Sequence, residues 1–194
     1  MPRVTRKQAD QHRSDILAAA SVLFREHGVD GVSLPRVMAQ AGLTHGAFYG
    51  HFSSKEALAA EACTLAFDQS GQRWHDRLAR HGSDKSARRR DFVTRYASRQ
   101  HRDAAGTGCP AAALATDMVH SHFSGPVRAS FAAGLSRLVD RLSEFMSVRK
   151  QRSQREEALS TLATLVGAVV LARATKGHAI SDEVLKSVQK TLVP

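Results

Sequence analysis

Residues 42–58, GLTHGAFYGHFSSKEAL, gather the side chains best suited to recognising an anionic partner with flat hydrogen-bonding edges. The Tyr49 hydroxyl and the Lys55 ammonium can satisfy phosphate oxygens, as can the Ser33 hydroxyl a short way upstream. The His45 imidazole can donate to a base-edge acceptor, and Ala47 offers a methyl group to a thymine methyl. Phe48 and Phe52, four residues apart, supply apolar anchors. Gly46, Ala47 and Gly50 keep the opposite surface low enough to enter a groove. For His45 and His51 a plain surface role stands beside the reading role.

Other chemistry finds less support. The chain holds 10 histidines. It has no H-E-x-x-H, no Gly-rich phosphate loop and no nucleophile elbow. His120 and His122 point to different sides of a helix, and His45 and His51 are poorly spaced for one metal, so neither a metal nor a cofactor is expected. Cys63 and Cys109 lack the paired spacing of zinc modules. Cys63, among alanines, reads as packing. Cys109 lies in HRDAAGTGCPAAAL, where Gly106 and Gly108 mark a loop and Pro110 fits a first helical position. That puts Cys109 at the N-cap of a helix through about His120, against the positive end of its dipole, which predicts a lowered thiol pKa. Such a thiol senses oxidants or electrophiles, or else is a small buried cap residue.

The elements that must position these residues are all helical, since spacings of three and four recur and no sustained alternation marks a strand. A first helix spans about Ala9 to His27 and stops at Gly28. Ser33 is expected to N-cap a short helix through Gln40 with its side chain, with Pro35 tolerated in the first turn. Ala41-Gly42-Leu43 makes a tight turn with Gly42 at positive φ. Thr44 then opens another short helix. Val32, Val37, Leu43, Phe48 and Phe52 face inward, leaving Thr44, His45, Ala47 and Tyr49 on the opposite side. The result is a helix-turn-helix.

Two domains are expected: residues 1–53 as the reader and 54–194 as a larger helical bundle. The second begins with a long helix from about Ser54 to Arg80, with Ala57, Leu58, Ala62, Leu65 and Trp74 on its inner side. HGSDKSARRR breaks it before a helix through Tyr96, and Arg88 to Arg90 read as a solvated face. Val127, Phe131, Leu135, Leu138, Leu142 and Phe145 form an amphipathic stripe. ALSTLATLVGAVVLARAT is apolar over much of its circumference and must be covered on two sides, either as the central core helix of a monomer or with one side left for a partner. DEVLKSVQKTLV adds a final helix. Trp74, Phe92, Tyr96, Met118 and Phe123 are the expected lining of a ligand pocket.

The net charge of +10 points to a polyanion. Residues 1–60 hold seven Lys/Arg against five Asp/Glu, and residues 71–103 hold ten against four, so most of the surplus lies outside the reader. With no apolar run of about 20 residues and no apolar amino terminus, neither a membrane span nor a signal peptide is expected. The cytoplasm is the expected location.

VSLPRVMAQAGLTHGAFYGHFSSKEAL resembles the DNA-binding signature of the tetracycline-repressor (TetR) family, with its Ala-Gly-Val/Leu turn, Tyr-x-His-Phe helix end and Ser-Lys-Glu start of the next helix. The resemblance implies a homodimeric repressor, released from a pseudo-palindromic double-stranded DNA operator by a small-molecule or thiol-reactive inducer. It carries Thr44, His45, Gly46 and Ala47 onto groove-facing positions. Ser33, Tyr49, His51 and Lys55 fall on phosphate-contacting ones. Pro35, Arg36, Met38 and Gly50 depart from the residues usual there. The Gly-Cys-Pro segment at 108–110 is similar to the regulatory domain of a family subset that includes electrophile- and oxidant-responsive repressors. An all-helical enzyme and a sequence-indifferent DNA-coating protein are the alternatives.

Overall fold

The structure is a computed structural model, described over residues 5–120, 125–146 and 153–193. Those residues form helices joined by turns, without a strand among them. Helix α1 (Arg6–His27) begins three residues before the expected start, and the cause is a capping box. The Thr5 hydroxyl accepts the Gln8 N–H at 3.3 Å while the Gln8 side chain accepts the Thr5 N–H at 2.9 Å. Arg6 and Lys7 thus belong to the first turn of a helix. Gly28 ends it at φ 74°.

Helix α2 (Leu34–Gln40) follows, and the turn after it runs through Gly42 at φ 72°, as expected. The next segment, His45–Gly50, is a 3₁₀ helix rather than an α-helix. Two glycines in six residues weaken the longer hydrogen-bonded form, and the tighter winding suits a single short turn. Helix α3 (Lys55–Leu78) is the long element, prolonged by a 3₁₀ turn over Ala79–His81. Then come α4 (Lys85–Tyr96), α5 (Arg99–Asp103), a 3₁₀ turn over Ala105–Thr107, α6 (Pro110–His120), α7 (Gly125–Ser143), α8 (Gln154–Ala174) and α9 (Ala179–Leu192).

One continuous apolar core runs through these helices, from Ile16 and Phe24 in α1 to Leu165 in α8 and Leu185 in α9. The α7 stripe behaves as its spacing predicts, with Val127, Leu138, Leu142 and the following Phe145 buried. Helix α8 is long and apolar enough to cross a membrane by length and composition, but 44% of its apolar window is buried against the rest of the molecule. Leu159 and Leu171 remain 45% and 56% exposed on its other side.

The Arg88–Arg90 triplet is a solvated face only in part, with Arg90 exposed and Arg88 half buried. Arg89 turns inward from α4 and pairs with Glu157 of α8 at 3.1 Å, both side chains about 10% exposed. The α4 register forces this, since Arg89 lies three and four residues before the buried Phe92 and Val93 and so shares their stripe.

Candidate functional site

The outward face of the reader rests on a packed inner one. Phe48 is fully buried, and its ring stacks on Phe52 at 5.9 Å and meets Tyr49 edge-on at 5.1 Å. Val32, Val37 and Met38 close the core around them. Held this way, Tyr49 keeps 68% of its surface exposed. Thr44, His45 and Gly46 are exposed beside it. A Cβ at Gly46 or Gly50 would meet nothing within 4 Å, so internal packing does not demand glycine there. Their missing side chains instead lower the outer profile of the turn. Ala47 departs from the expected division: it is half buried and packs against the core.

Ser33 also differs from expectation. It is the N-cap of α2 by position, but its side chain takes no cap hydrogen bond. The amides of Arg36 and Val37 are satisfied by the Ser33 carbonyl, at 3.1 and 3.2 Å, and Pro35 has no N–H to offer. The exposed hydroxyl is therefore left for an external acceptor. Thr44 is in the same state before the 3₁₀ turn. Lys55 opens α3, half buried, directly after Ser54, whose hydroxyl accepts the Ala57 N–H at 3.0 Å. His51 is half buried and edge-on to His12, ring centroids 6.1 Å apart. Ser33, Thr44, His45, Gly46, Tyr49, His51 and Lys55 thus sit on or beside consecutive elements, α2, the 3₁₀ turn and the start of α3, whose apolar sides share one core.

Three contacts outside the signature tie this reader to the rest. Arg13 of α1 holds Glu61 of α3 through both carboxylate oxygens at 2.7 Å, and its guanidinium lies 4.6 Å from the centre of the Phe52 ring. Arg25, almost fully buried, donates to the Gly108 carbonyl at 3.2 Å. Asp117 of α6 accepts the Val29 N–H at 2.7 Å, at the turn that leads into α2. A lone acid in an alanine-rich helix was the only sequence signal for Asp117. For Arg13 and Arg25 there was none, because their partners lie 48 and 83 residues away.

Those contacts lead to two cavities. One, of about 180 Å³, lies between α3, the end of α4 and the 104–109 loop, bounded by Arg73, Trp74, Arg77, Arg95, His101 and Cys109. The other, about 430 Å³, lies between α3 and α7, with Trp74, Leu138, Leu142 and Phe145 beside Arg88 and Arg141. Of the expected lining residues, Trp74 borders both. Phe92 and Tyr96 are fully buried behind it, with ring centroids 4.7 and 6.4 Å from the indole. Met118 is half buried against the core, and Phe123 lies outside the described residues.

Cys109 immediately precedes α6, and the amides of Ala111 and Ala112 do point at its sulfur. The lowered pKa does not follow. Complete burial pushes the thiol up and outweighs those amides and the neighbouring Tyr96 hydroxyl. The Cys109 N–H donates to His101 Nε2 at 2.9 Å, while His101 Nδ1 lies 2.7 Å from the Tyr96 carbonyl. This assigns the proton to Nδ1. Burial holds the imidazole neutral, its pKa down at about 4. Cys63 is likewise pushed up, to about 12, by burial.

Residues 16–62 match the model of the bacterial regulatory proteins of the tetR family, and every signature position from Ser33 to Lys55 falls inside the match. This segment is similar to a TetR-family amino-terminal domain. The HTH-type transcriptional regulator AcrR of Shigella flexneri is 38% identical over 72 residues, covering 37% of this chain and 34% of that protein. The HTH-type transcriptional regulator TtgR of Pseudomonas putida is 36% identical over 80 residues, 41% of this chain and 36% of that protein. The chain thus spans about a third of the length of these curated relatives. Similarity of fold extends further. The crystal structure of a TetR-family transcriptional regulator from Agrobacterium tumefaciens superposes with a TM-score of 0.77 at 20% identity, over 96% of this chain and 100% of that one. FadR from Bacillus subtilis, solved in complex with stearoyl-CoA, gives 0.69 at 15% identity, over 93% and 97%.

Proposed function

We propose that the protein is a sequence-specific, DNA-binding transcriptional regulator of the cytoplasm, a homodimeric repressor released from a pseudo-palindromic operator by a small-molecule inducer. Residues 1–53 are the reader and residues 54–194 the regulatory and dimerisation domain. The observation that carries the reading is the 3₁₀ turn His45–Gly50, pinned from within by buried Phe48 while Tyr49 stands 68% exposed, inside a segment that matches the TetR-family model.

Each part of the face has a task. Thr44, His45, Gly46 and the exposed edge of Ala47 enter the major groove. Ser33, Tyr49, His51 and Lys55 meet phosphates on either side and fix the orientation. No Arg, Asn or Gln lies on the turn to make a bidentate base contact, so discrimination per half-site is modest and dimerisation and DNA shape supply the rest. Exposed Leu159 and Leu171 of α8 and Ile180 of α9 form the apolar face that a second copy covers across a two-fold axis.

Release works through α6. Cys109, the residue directly before it, borders the smaller cavity and Asp117, further along, holds the Val29 turn, so an effector that favours a shifted α6 also favours a displaced reader. Burial of the Cys109 thiol supports reversible occupancy rather than thiol modification as the trigger. Selection of binding sites from random duplex DNA, repeated at two salt concentrations, tests the proposal. A pseudo-palindrome enriched at both is expected. Salt-sensitive binding without sequence preference would mark a DNA-coating protein and overturn it.

A further inference from the structure

The smaller cavity has an unusual charge balance. Arg73 and Arg77, one turn apart on α3, and Arg95 at the end of α4 all border it. Among the described residues Asp91 is the only carboxylate in ion-pair contact with any of the three, and it takes Arg95 at 2.5 Å and His81 at 3.3 Å. Arg73 donates one N–H to the Thr107 carbonyl at 2.6 Å, which leaves the rest of its five donors. Arg77 is half buried and makes no ion pair or hydrogen bond among the described residues. Arg25 adds a fourth cation behind the loop, where burial and then the nearby Arg73 disfavour its charge. Arg73 is partly desolvated with no carboxylate partner among the described residues, and an anion placed beside it and the half-buried Arg77 offsets that cost.

The remaining walls set the size and shape. The Trp74 indole forms an apolar side, while Ser98 and His101 add polar groups. At about 180 Å³ the cavity is smaller than the roughly 300–1,000 Å³ of drug-sized sites. His101 is engaged through both ring nitrogens and stays neutral, so recognition of charge falls to the arginines.

We propose that this cavity binds a small aromatic carboxylate, its carboxylate held by Arg77 and Arg73 in the two-pronged manner open to guanidinium groups and its ring against Trp74. The proposal names the inducer class for the regulatory reading above and rests on that reading only for its consequence, not for the binding itself.

The chain contains one tryptophan, Trp74, so intrinsic fluorescence reports the cavity wall directly. The full-length protein without DNA is titrated with sodium benzoate, with benzamide and with inorganic phosphate at constant ionic strength. Saturable quenching by benzoate, at least tenfold weaker with benzamide and with phosphate, is expected. Arg77→Gln, with an unchanged melting temperature, is expected to weaken benzoate binding at least tenfold. Equal response to benzamide, or full benzoate binding in Arg77→Gln, overturns the proposal. A response to phosphate as strong as to benzoate overturns the aromatic half of it. If Arg77→Gln lowers the melting temperature, Arg77→Lys takes its place: binding weakened at least fivefold supports the two-pronged contact, and undiminished binding overturns it. Benzoate binding by a protein that selects no DNA sequence would leave the cavity assignment standing and the regulatory reading fallen. Sequence-selective DNA binding without any benzoate response would do the reverse.

Discussion

The Asp117 carboxylate on α6 accepts the Val29 backbone N–H at 2.7 Å, fastening the middle of the molecule to the turn that precedes α2. A Cβ at Gly28 would lie 3.0 Å from the same carboxylate, so the positive-φ glycine both turns the chain and makes room for the acid. Burial raises the Asp117 pKa, and the Val29 amide opposes that rise.

Removing the grip leaves a buried amide unsatisfied. Asp117→Ala is expected to lower stability by about 1–3 kcal/mol and to speed hydrogen exchange at the Val29 amide selectively. Exchange by NMR checks this. Unchanged protection at Val29 would mean that α6 does not hold the turn.

The Arg89–Glu157 pair joins α4 to α8 inside the core. Glu157→Gln removes one charge of a buried ion pair and is expected to cost up to about 3–5 kcal/mol in urea unfolding. The double variant Arg89→Met/Glu157→Leu should recover most of that loss, since apolar side chains of similar size need no partner.

His101 gives a pH dependence of known sign. Its imidazole is neutral in the fold, with a pKa near 4 against 6.5 in the free side chain. Above pH 6.5 both states are neutral and the group contributes no slope. Between about 6.5 and 4 the unfolded chain takes up the proton and the fold does not, so stability falls as pH falls, by roughly 3 kcal/mol in all. Replacing His101 by Gln should flatten this window in melting temperature against pH, while leaving the acid limb below pH 4, where Asp91 and Asp182 carry their lowered pKa values.

Affinity and specificity separate on the reader face. Lys55→Ala should reduce the slope of log K against log salt by about one and weaken all sequences alike. Tyr49→Phe, which keeps the edge-on contact with Phe48 but removes the exposed hydroxyl, should weaken binding without altering the preferred site. Fluorescence anisotropy at several salt concentrations measures both.

Local signals made the reader legible. Glycine at positions 28 and 42, apolar spacing and the phenylalanine pair depend on residues within a few turns, and the helices appear where those signals place them. What escaped depends on distant partners or on competing local options. Arg89 looked solvated because Glu157 is 68 residues away. Ser33 looked like a side-chain cap, and its own carbonyl does that work. The Cys109 dipole argument held for the amides and failed on burial, which no short stretch of sequence reports. Of the residues expected to face outward, Thr44, His45 and Tyr49 do so, and Ala47 instead packs against the core. The arginine-lined cavity was not readable, because Arg73, Arg77 and Arg95 meet only once α3 and α4 fold together.

The central claim is that the exposed turn reads bases from the major groove, and the most direct test repeats the random-duplex selection with a Thr44→Ala/His45→Ala variant. Both residues are exposed and outside the core, so the fold should melt as wild type does. The account predicts a pseudo-palindrome whose base preference is lost at the same position in each half-site, with the half-site spacing kept. Recovery of the wild-type consensus without change at any position would contradict it.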